Sequence, residues 1–231
     1  REGVAGIADT LYSIPNVQVE YREPGIKIPT NYWRSVGHSQ NTFFTESFID
    51  ELAIAAGKDP VEFRRELLAD QPRLLGALNL AAEKAGWGKP LPAGRAMGVA
   101  AVNCFGSFNA QIAEVSIVQG KVRVHRVVSA VDCGIAVNPA GVEQQMQSAI
   151  VYGLSAALRG NITFEKGRVQ QTNFHQYEPL RMDEMPVIET YIVPSTNNPG
   201  GMGEVGTPAI APAEGNAIFK ATGKRVRRMP F

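Results

Sequence analysis

The chain has 231 residues, 44% of them hydrophobic and 19% charged, with a formal net charge of +1. That length holds one large domain or two small ones, and the near-neutral balance excludes a general attraction to nucleic acid or to an anionic membrane. Two cysteines, Cys104 and Cys133, exclude a disulfide framework and a four-thiolate iron–sulfur cluster, and the three histidines stand at no zinc-ligand spacing. In chain order, residues 1–43 are rich in Pro, Gly, Asn and Ser and read as irregular chain with a short extended piece at Val17–Tyr21. Phe44, Phe48, Leu52 and Ala55 recur at helical spacing and predict a buried helical face, with Phe43, Phe44 and Phe48 in the core and Gly57 closing the run. Asp59-Pro60-Val61-Glu62 supplies an N-cap, an N1 proline and an N3 carboxylate for a second helix through about Leu68. A third is expected from about Pro72 to Ala85, with Gly86 after it.

The character changes at Arg95. Met97 to Phe105, Gln111 to Val118 and Lys121 to Val131 are rich in β-branched residues, and Gln119-Gly120 marks a two-residue hairpin between the last two. Val122, Val124 and Val128 share one parity and predict one apolar face. Val142, Met146, Ala149, Ile150, Gly153 and Ala157 mark a helix of about 18 residues. Short strands are expected near Ile162–Phe164, Arg168–Gln171 and Val187–Val193, then a last helix from Pro208 to Thr222 with Gly223 behind it. The order is α+β, with mixed or antiparallel sheets and packed helices, rather than a βαβ array. The expected division is 1–94, irregular and helical, and 95–231, the α+β part. The longest uncharged apolar run, about Ala149 to Leu158, is far below the roughly 20 residues of a membrane span. No signal peptide is visible, and a start at Arg rather than Met reads as a fragment or a processed subunit. The basic cluster Lys224-Arg225-Val226-Arg227-Arg228 reads as a solvated tail or a helix-end contact.

Gly200-Gly201-Met202-Gly203-Glu204-Val205-Gly206-Thr207-Pro208 places one carboxylate on a tight loop ahead of a helix, with Thr207 as the expected N-cap. A carboxylate so held is a candidate for proton transfer; by itself the loop reads as a plain surface turn with an exposed Glu. Three other stretches put polar or small groups where the pattern gives no packing reason. They are Tyr32-Trp33-Arg34-Ser35-Val36-Gly37-His38-Ser39, Gly106-Ser107-Phe108-Asn109-Ala110-Gln111, and Asn138-Pro139 with Glu143-Gln144-Gln145-Met146-Gln147-Ser148. Alone, Gln145 reads as a surface residue, Arg34 as an ion-pair partner, His38 as a turn histidine and the two cysteines as core thiols.

Taken together, WRSVGHSQNTFFTESFIDELA, AVNPAGVEQQMQS and GGMGEVGTPAIAPAEGNAIFKATGKRVRRMP resemble the molybdenum-binding large subunit of the xanthine oxidase/aldehyde oxidoreductase family, isoquinoline 1-oxidoreductase β-subunit type, in its C-terminal portion. The resemblance implies a general base at Glu204, a molybdopterin contact at Gln145, and an arginine at Arg34 next to metal and substrate. It further implies cofactor packing at Gly203 and at a small-residue loop holding Ala110 and Gln111, although that family has Gly or Ala where Gln111 stands. The metal would be held by the pterin dithiolene, so no protein ligand to it is expected. Also implied are molybdopterin cytosine dinucleotide, 2Fe-2S clusters confined to a partner iron–sulfur subunit, a cytochrome c or flavin subunit as further partner, and a periplasmic location. The expected activity is oxidation of an aldehyde or hydroxylation of an N-heteroaromatic ring. The rivals are a non-catalytic cofactor- or partner-binding subunit of the same fold and an α+β domain with an unrelated ligand.

Overall fold

The computed structural model describes residues 2–23, 25 and 28–231; Arg1, Pro24, Ile26 and Lys27, within the stretch read as irregular, lie outside them. Helices α1 (Gly37–Ala55), α2 (Pro60–Leu67) and α3 (Pro72–Ala85) come first. Strands β1 (Arg95–Cys104), β2 (Ser107–Val118) and β3 (Lys121–Asp132) follow. Helix α4 (Pro139–Arg159), the short pair β4 (Phe164–Glu165) and β5 (Arg168–Val169), strand β6 (Val187–Ile192) and helix α5 (Ile210–Thr222) complete the order. This is the α+β class expected. The main sheet runs β1-β2-β3-β6, antiparallel except for a parallel β3–β6 pair, so it is mixed.

Local chemistry explains most boundaries. The Asp59 carboxylate caps α2 by accepting from the Val61 and Glu62 amides. Gly86 ends α3 at φ 71, left-handed backbone that glycine adopts without a Cβ penalty. Gln119 and Gly120 both have positive φ, the two-residue turn that matches strand twist. Asn138, one of the polar residues singled out in the sequence, caps α4 through the Gly141 amide.

The sheet is sandwiched. One face, with Ala100, Val102, Ala113, Val115, Val127 and Val131, packs on α4 and α5 through Met146, Ile150, Leu154, Ile210, Ala213 and Ala217. The other, with Val99, Ala101, Ala110, Ile112, Val128 and Ala130, packs on α2 and α3 through Val61, Leu74, Ala77, Leu78 and Ala81. The parity read for β3 is therefore wrong beyond Val124. Register shifts by one between Val115↔Val124 and Glu114↔Arg126, so His125 is an extra residue. Such a bulge moves every later side chain to the opposite face: Val128 lies under α3, and Val127 takes the side of Val122 and Val124.

Further departures concern the ends of the chain. Val17–Tyr21 forms no strand and is largely exposed, having no neighbouring strand to pair with. Helix α1 begins at Gly37, seven residues before Phe44, and in the added turns the Asn41 amide donates to the Gly3 and Ala5 carbonyls. Its orientation departs from the expected apolar face at Phe44, Phe48 and Leu52, while Ile49 and Ala53 are buried. Phe43 is buried, but Phe44 and Phe48 are 55% and 56% exposed, while Glu46 and Asp50 face inward. Arg64 is the reason. Its guanidinium, wholly buried, donates to the Glu46 carboxylate at 2.9 Å and to the Glu46 and Pro60 carbonyls. Glu46 accepts in addition from the Tyr12 hydroxyl at 2.7 Å and the Ala101 amide at 2.9 Å. Burial works against the charge of Arg64, but Glu46, Tyr12 and Asp50 outweigh it and raise its pKa. A buried charge with this many partners holds its helix in one rotation, because turning α1 would strand it.

In the basic C-terminal cluster Lys224, Arg227 and Arg228 are exposed, and Arg225 makes the helix-end contact, donating to Asn216 of α5 at 3.1 Å. Arg225 pairs with Asp50 at 2.6 Å and lies over the Phe219 ring, and Arg227 forms a two-pronged pair with Glu51. Helix α5 starts at Ile210, after a turn closed by the Thr207 amide donating to the Glu204 carbonyl at 3.1 Å. Thr207 is thus not its cap; its hydroxyl is buried without a partner. Both cysteines are buried and free, as read from the sequence, and burial pushes both thiols up.

Candidate active site

The fold brings Arg34, Gln145, Gly203 and Glu204 together from three distant parts of the chain. Arg34 stands just before α1, and its fork reads three groups at once. Nε and Nη2 donate to the Gly203 carbonyl at 3.0 and 2.5 Å. Nη2 also donates to Gln145 Oε1 at 3.1 Å, and Nη1 to Ser148 Oγ at 3.1 Å. A planar guanidinium suits such a junction because its donors have fixed directions. Gln145 and Ser148 are exposed and three residues apart on α4, hence on one face.

Glu204 is half-buried. Its Oε1 accepts from the Ser35 amide at 3.0 Å, and its carbonyl accepts from Ser35 Oγ at 2.6 Å. Ser35 and Val36 hold positive φ, 70° and 50°. For a β-branched residue such as Val36 this is costly backbone, of the kind that persists only where the surroundings over-determine it. The surroundings here are the two bonds to Glu204, the Val36 amide donating to the Trp33 carbonyl, and Ser39 Oγ donating to the Arg34 carbonyl at 2.5 Å. The strain thus aims one amide at one carboxylate. From the other side, the Glu204 loop rests on α4. A Cβ on Gly206 would lie 2.9 Å from the Ala149 Cβ and 3.2 Å from the Met146 carbonyl oxygen.

Gln111 does not stand on an open loop. It is buried in β2, and its Nε2 donates to the Gly206 carbonyl at 2.7 Å and to Asn109 Oδ1 at 2.8 Å, supporting the Glu204 loop from beneath. Its Oε1 is buried with no partner. Ala110 points the other way, into the apolar cluster under α3. The small-residue loop expected there is a strand, because Phe105-Gly106 already makes the turn and Ser107 pairs with Cys104. His38 sits in the first turn of α1, with Nε2 3.2 Å from Asp9 Oδ2 and its ring 5.6 Å from that of Phe105.

Sequence reasoning passed over Ser35 as a holder of Glu204, and over Tyr152. Tyr152 packs against Trp33 at 4.9 Å between ring centres, and Arg34 lies over it at 5.6 Å. The spacing of Gln145, Ser148 and Tyr152 puts all three on one helix face and was a readable signal. A hollow of about 400 Å³, lined by Val4, Ala5, Asp9, Val36, His38 and Phe105, adjoins the strained loop. Another of about 410 Å³, at Trp87 and Lys220, shares no residue with the site.

Among the described residues no cluster of His, Cys, Asp or Glu could hold a metal ion. The donors present suit a different guest. A guanidinium, an amide and a hydroxyl open to solvent flank a glycine loop where a Cβ on Gly203 would meet nothing within 4 Å. That set fits a polar, anionic group with hydrogen-bonding edges lying against bare backbone. Two models of the molybdopterin cofactor-binding domain match residues 2–68 and 72–186, together more than half of the chain. The chain belongs to this family.

Known members extend the likeness beyond the matched stretches. This molybdopterin cofactor-binding chain is 37% identical over 218 residues to a membrane-bound aldehyde dehydrogenase (pyrroloquinoline-quinone) of Gluconacetobacter polyoxogenes, covering 85% of this chain and 28% of that protein. It is 32% identical over 225 residues to the isoquinoline 1-oxidoreductase subunit beta of Brevundimonas diminuta, covering 95% of this chain and 29% of that one. The chain therefore spans less than a third of the length of these relatives. The fold is shared with quinoline 2-oxidoreductase from Pseudomonas putida 86, at a TM-score of 0.74 and 13% identity, over 87% of this chain and 52% of that chain. No helix among the described residues is long and apolar enough to cross a membrane.

Proposed function

We propose that this chain forms part of the catalytic, molybdopterin-binding subunit of a molybdenum hydroxylase, a C-terminal portion, oxidising an aldehyde or hydroxylating an N-heteroaromatic ring with oxygen from water. The relatives named as aldehyde dehydrogenase, isoquinoline 1-oxidoreductase and nicotinate dehydrogenase support that substrate range. The observation that carries the reading is the junction at Arg34. One side chain ties the Glu204 loop, 169 residues away, to Gln145, 111 residues away.

In this reading Arg34, Gln145 and the backbone at Gly203 hold the cofactor, whose molybdenum supplies the oxidising chemistry when bound. Glu204 is the general base. The Ser35 amide fixes its Oε1, which leaves the second oxygen to take a proton from the water that is consumed. Gln111 and Gly206 keep the carboxylate loop at one height over the sheet. The nucleotide form is molybdopterin cytosine dinucleotide, and the enzyme works in the periplasm. 2Fe-2S clusters would be held by an iron–sulfur subunit, with a cytochrome c or flavin subunit as a further partner; two buried thiols in this chain cannot supply a four-cysteine cluster.

The test is Glu204→Gln in the complete enzyme. Turnover falls by about 10²–10⁴-fold while molybdenum and nucleotide content stay at the parent level. Near-parent turnover would overturn the base assignment. A fully loaded parent enzyme that turns over no aldehyde or heterocycle would favour the non-catalytic, cofactor-binding subunit instead.

A further inference from the structure

Helix α1 buries Phe43, Ile49 and Ala53 but also leaves an apolar row outside. Its inward side carries Asn41, Thr42, Glu46 and Asp50, all buried. Its outward side carries Phe44, Phe48 and Leu52 at i, i+4 and i+8, exposed to 55%, 56% and 37%. The helix cannot roll to bury the stripe. Rolling would part Glu46 from Arg64, Tyr12 and the Ala101 amide, and Asp50 from Arg225. The buried ion pair thus holds this apolar row outward.

We propose that the Phe44–Phe48–Leu52 stripe is the docking surface for the remainder of the molybdopterin-binding subunit, the part of its relatives' length that this chain does not span. The proposal rests on the functional reading above. Two observations select that occupant. The chain matches only 28–29% of the length of two relatives that resemble it over most of its own residues. The patch is also small. Half-exposed phenylalanines offer about 100 Å² each, so the three residues present about 300 Å², against roughly 800 Å² per partner in a stable interface. A second copy or a freely diffusing protein would need far more surface than this. A segment tethered in the same subunit does not, because it loses little freedom on contact.

The experiment uses the complete enzyme bearing Phe44→Cys or Phe48→Cys, labelled with a maleimide and read by mass spectrometry of the α1 peptide. Both side chains are more than half exposed, Phe44 touching the core only edge-on at Phe43, and the chain's native thiols are buried. Labelling at 44 and 48 is expected to be at least about tenfold slower in the native enzyme than after denaturation in urea, since thiol reactivity follows access. Unprotected labelling in enzyme that contains molybdenum and turns over would overturn the docking surface while leaving the functional reading intact. Protection that disappears on dilution, with subunit composition unchanged, would overturn it in favour of a second copy. Protection in a preparation that never takes up molybdenum would support the docking and count against the functional reading.

Discussion

Glu214 offers the sharpest physical test of the core. It lies in the middle of α5 with no solvent exposure, and neither carboxylate oxygen has a hydrogen-bond partner. Neighbouring turns of α5 contribute Ile210, Ala213, Ala217 and Ile218 to the apolar cluster. Burial raises its pKa well above the ordinary 4.5, which favours the neutral acid in the folded protein. The sign follows from proton counting. Below the unfolded pKa both states hold the proton and pH has no effect. Above it the unfolded chain releases the proton and the folded chain keeps it, so stability is lost as pH rises, by about 1.4 kcal/mol per unit, until the folded group titrates. The unpaired oxygens add a pH-independent cost of about 1–3 kcal/mol. Glu214→Gln removes only the first effect, and Glu214→Leu removes both. Urea unfolding between pH 5 and 8 should show the parent losing stability relative to Glu214→Gln as pH rises. Glu214→Leu should be the most stable of the three at pH 8. Parallel pH profiles for parent and Glu214→Gln would refute the buried neutral acid.

Arg64→Leu should cost about 3–5 kcal/mol in urea unfolding, since it leaves Glu46 buried without its cation; a loss below about 1 kcal/mol would mean that the pair does not fix α1. Ser35→Ala removes the hydroxyl bond to the Glu204 carbonyl but keeps the amide bond. It should cost about 1 kcal/mol of stability and lower turnover less than Glu204→Gln does, as steady-state kinetics on the complete enzyme would show. Gly206→Ala forces a methyl into α4 and should destabilise by about 1–3 kcal/mol, with a matching fall in the unfolding midpoint.

How much the residues disclose depends on the range of the interaction. Asp59-Pro60, Gly86 and Gln119-Gly120 act within four residues, and each set its boundary where the structure has it. The orientation of α1 depends on Arg64, eighteen residues from Glu46, and an apolar count along the helix holds no trace of that pair. The parity of β3 failed at one inserted residue, His125, which no local propensity marks. Arg34, Gln145, Gly203 and Glu204 each read blandly alone and were gathered by the joint order of their stretches and the family resemblance; the structure joins them by hydrogen bonds at Arg34 and Ser35. Ala110 was misplaced because a small residue under a helix and a small residue in a loop look alike in one sequence. Ser35 was overlooked because its backbone amide, rather than its side chain, grips the carboxylate.

The arginine fork closes on a main-chain oxygen, that of Gly203, and this sets what residue 203 is free to become. A substitution there leaves the clasp intact, because every amino acid brings the same carbonyl. Among the described residues nothing would obstruct a methyl at that point. Gly203→Ala is therefore a silent change for the isolated polypeptide and a ruler for its guest: whatever affinity it removes measures how closely that guest lies against the loop.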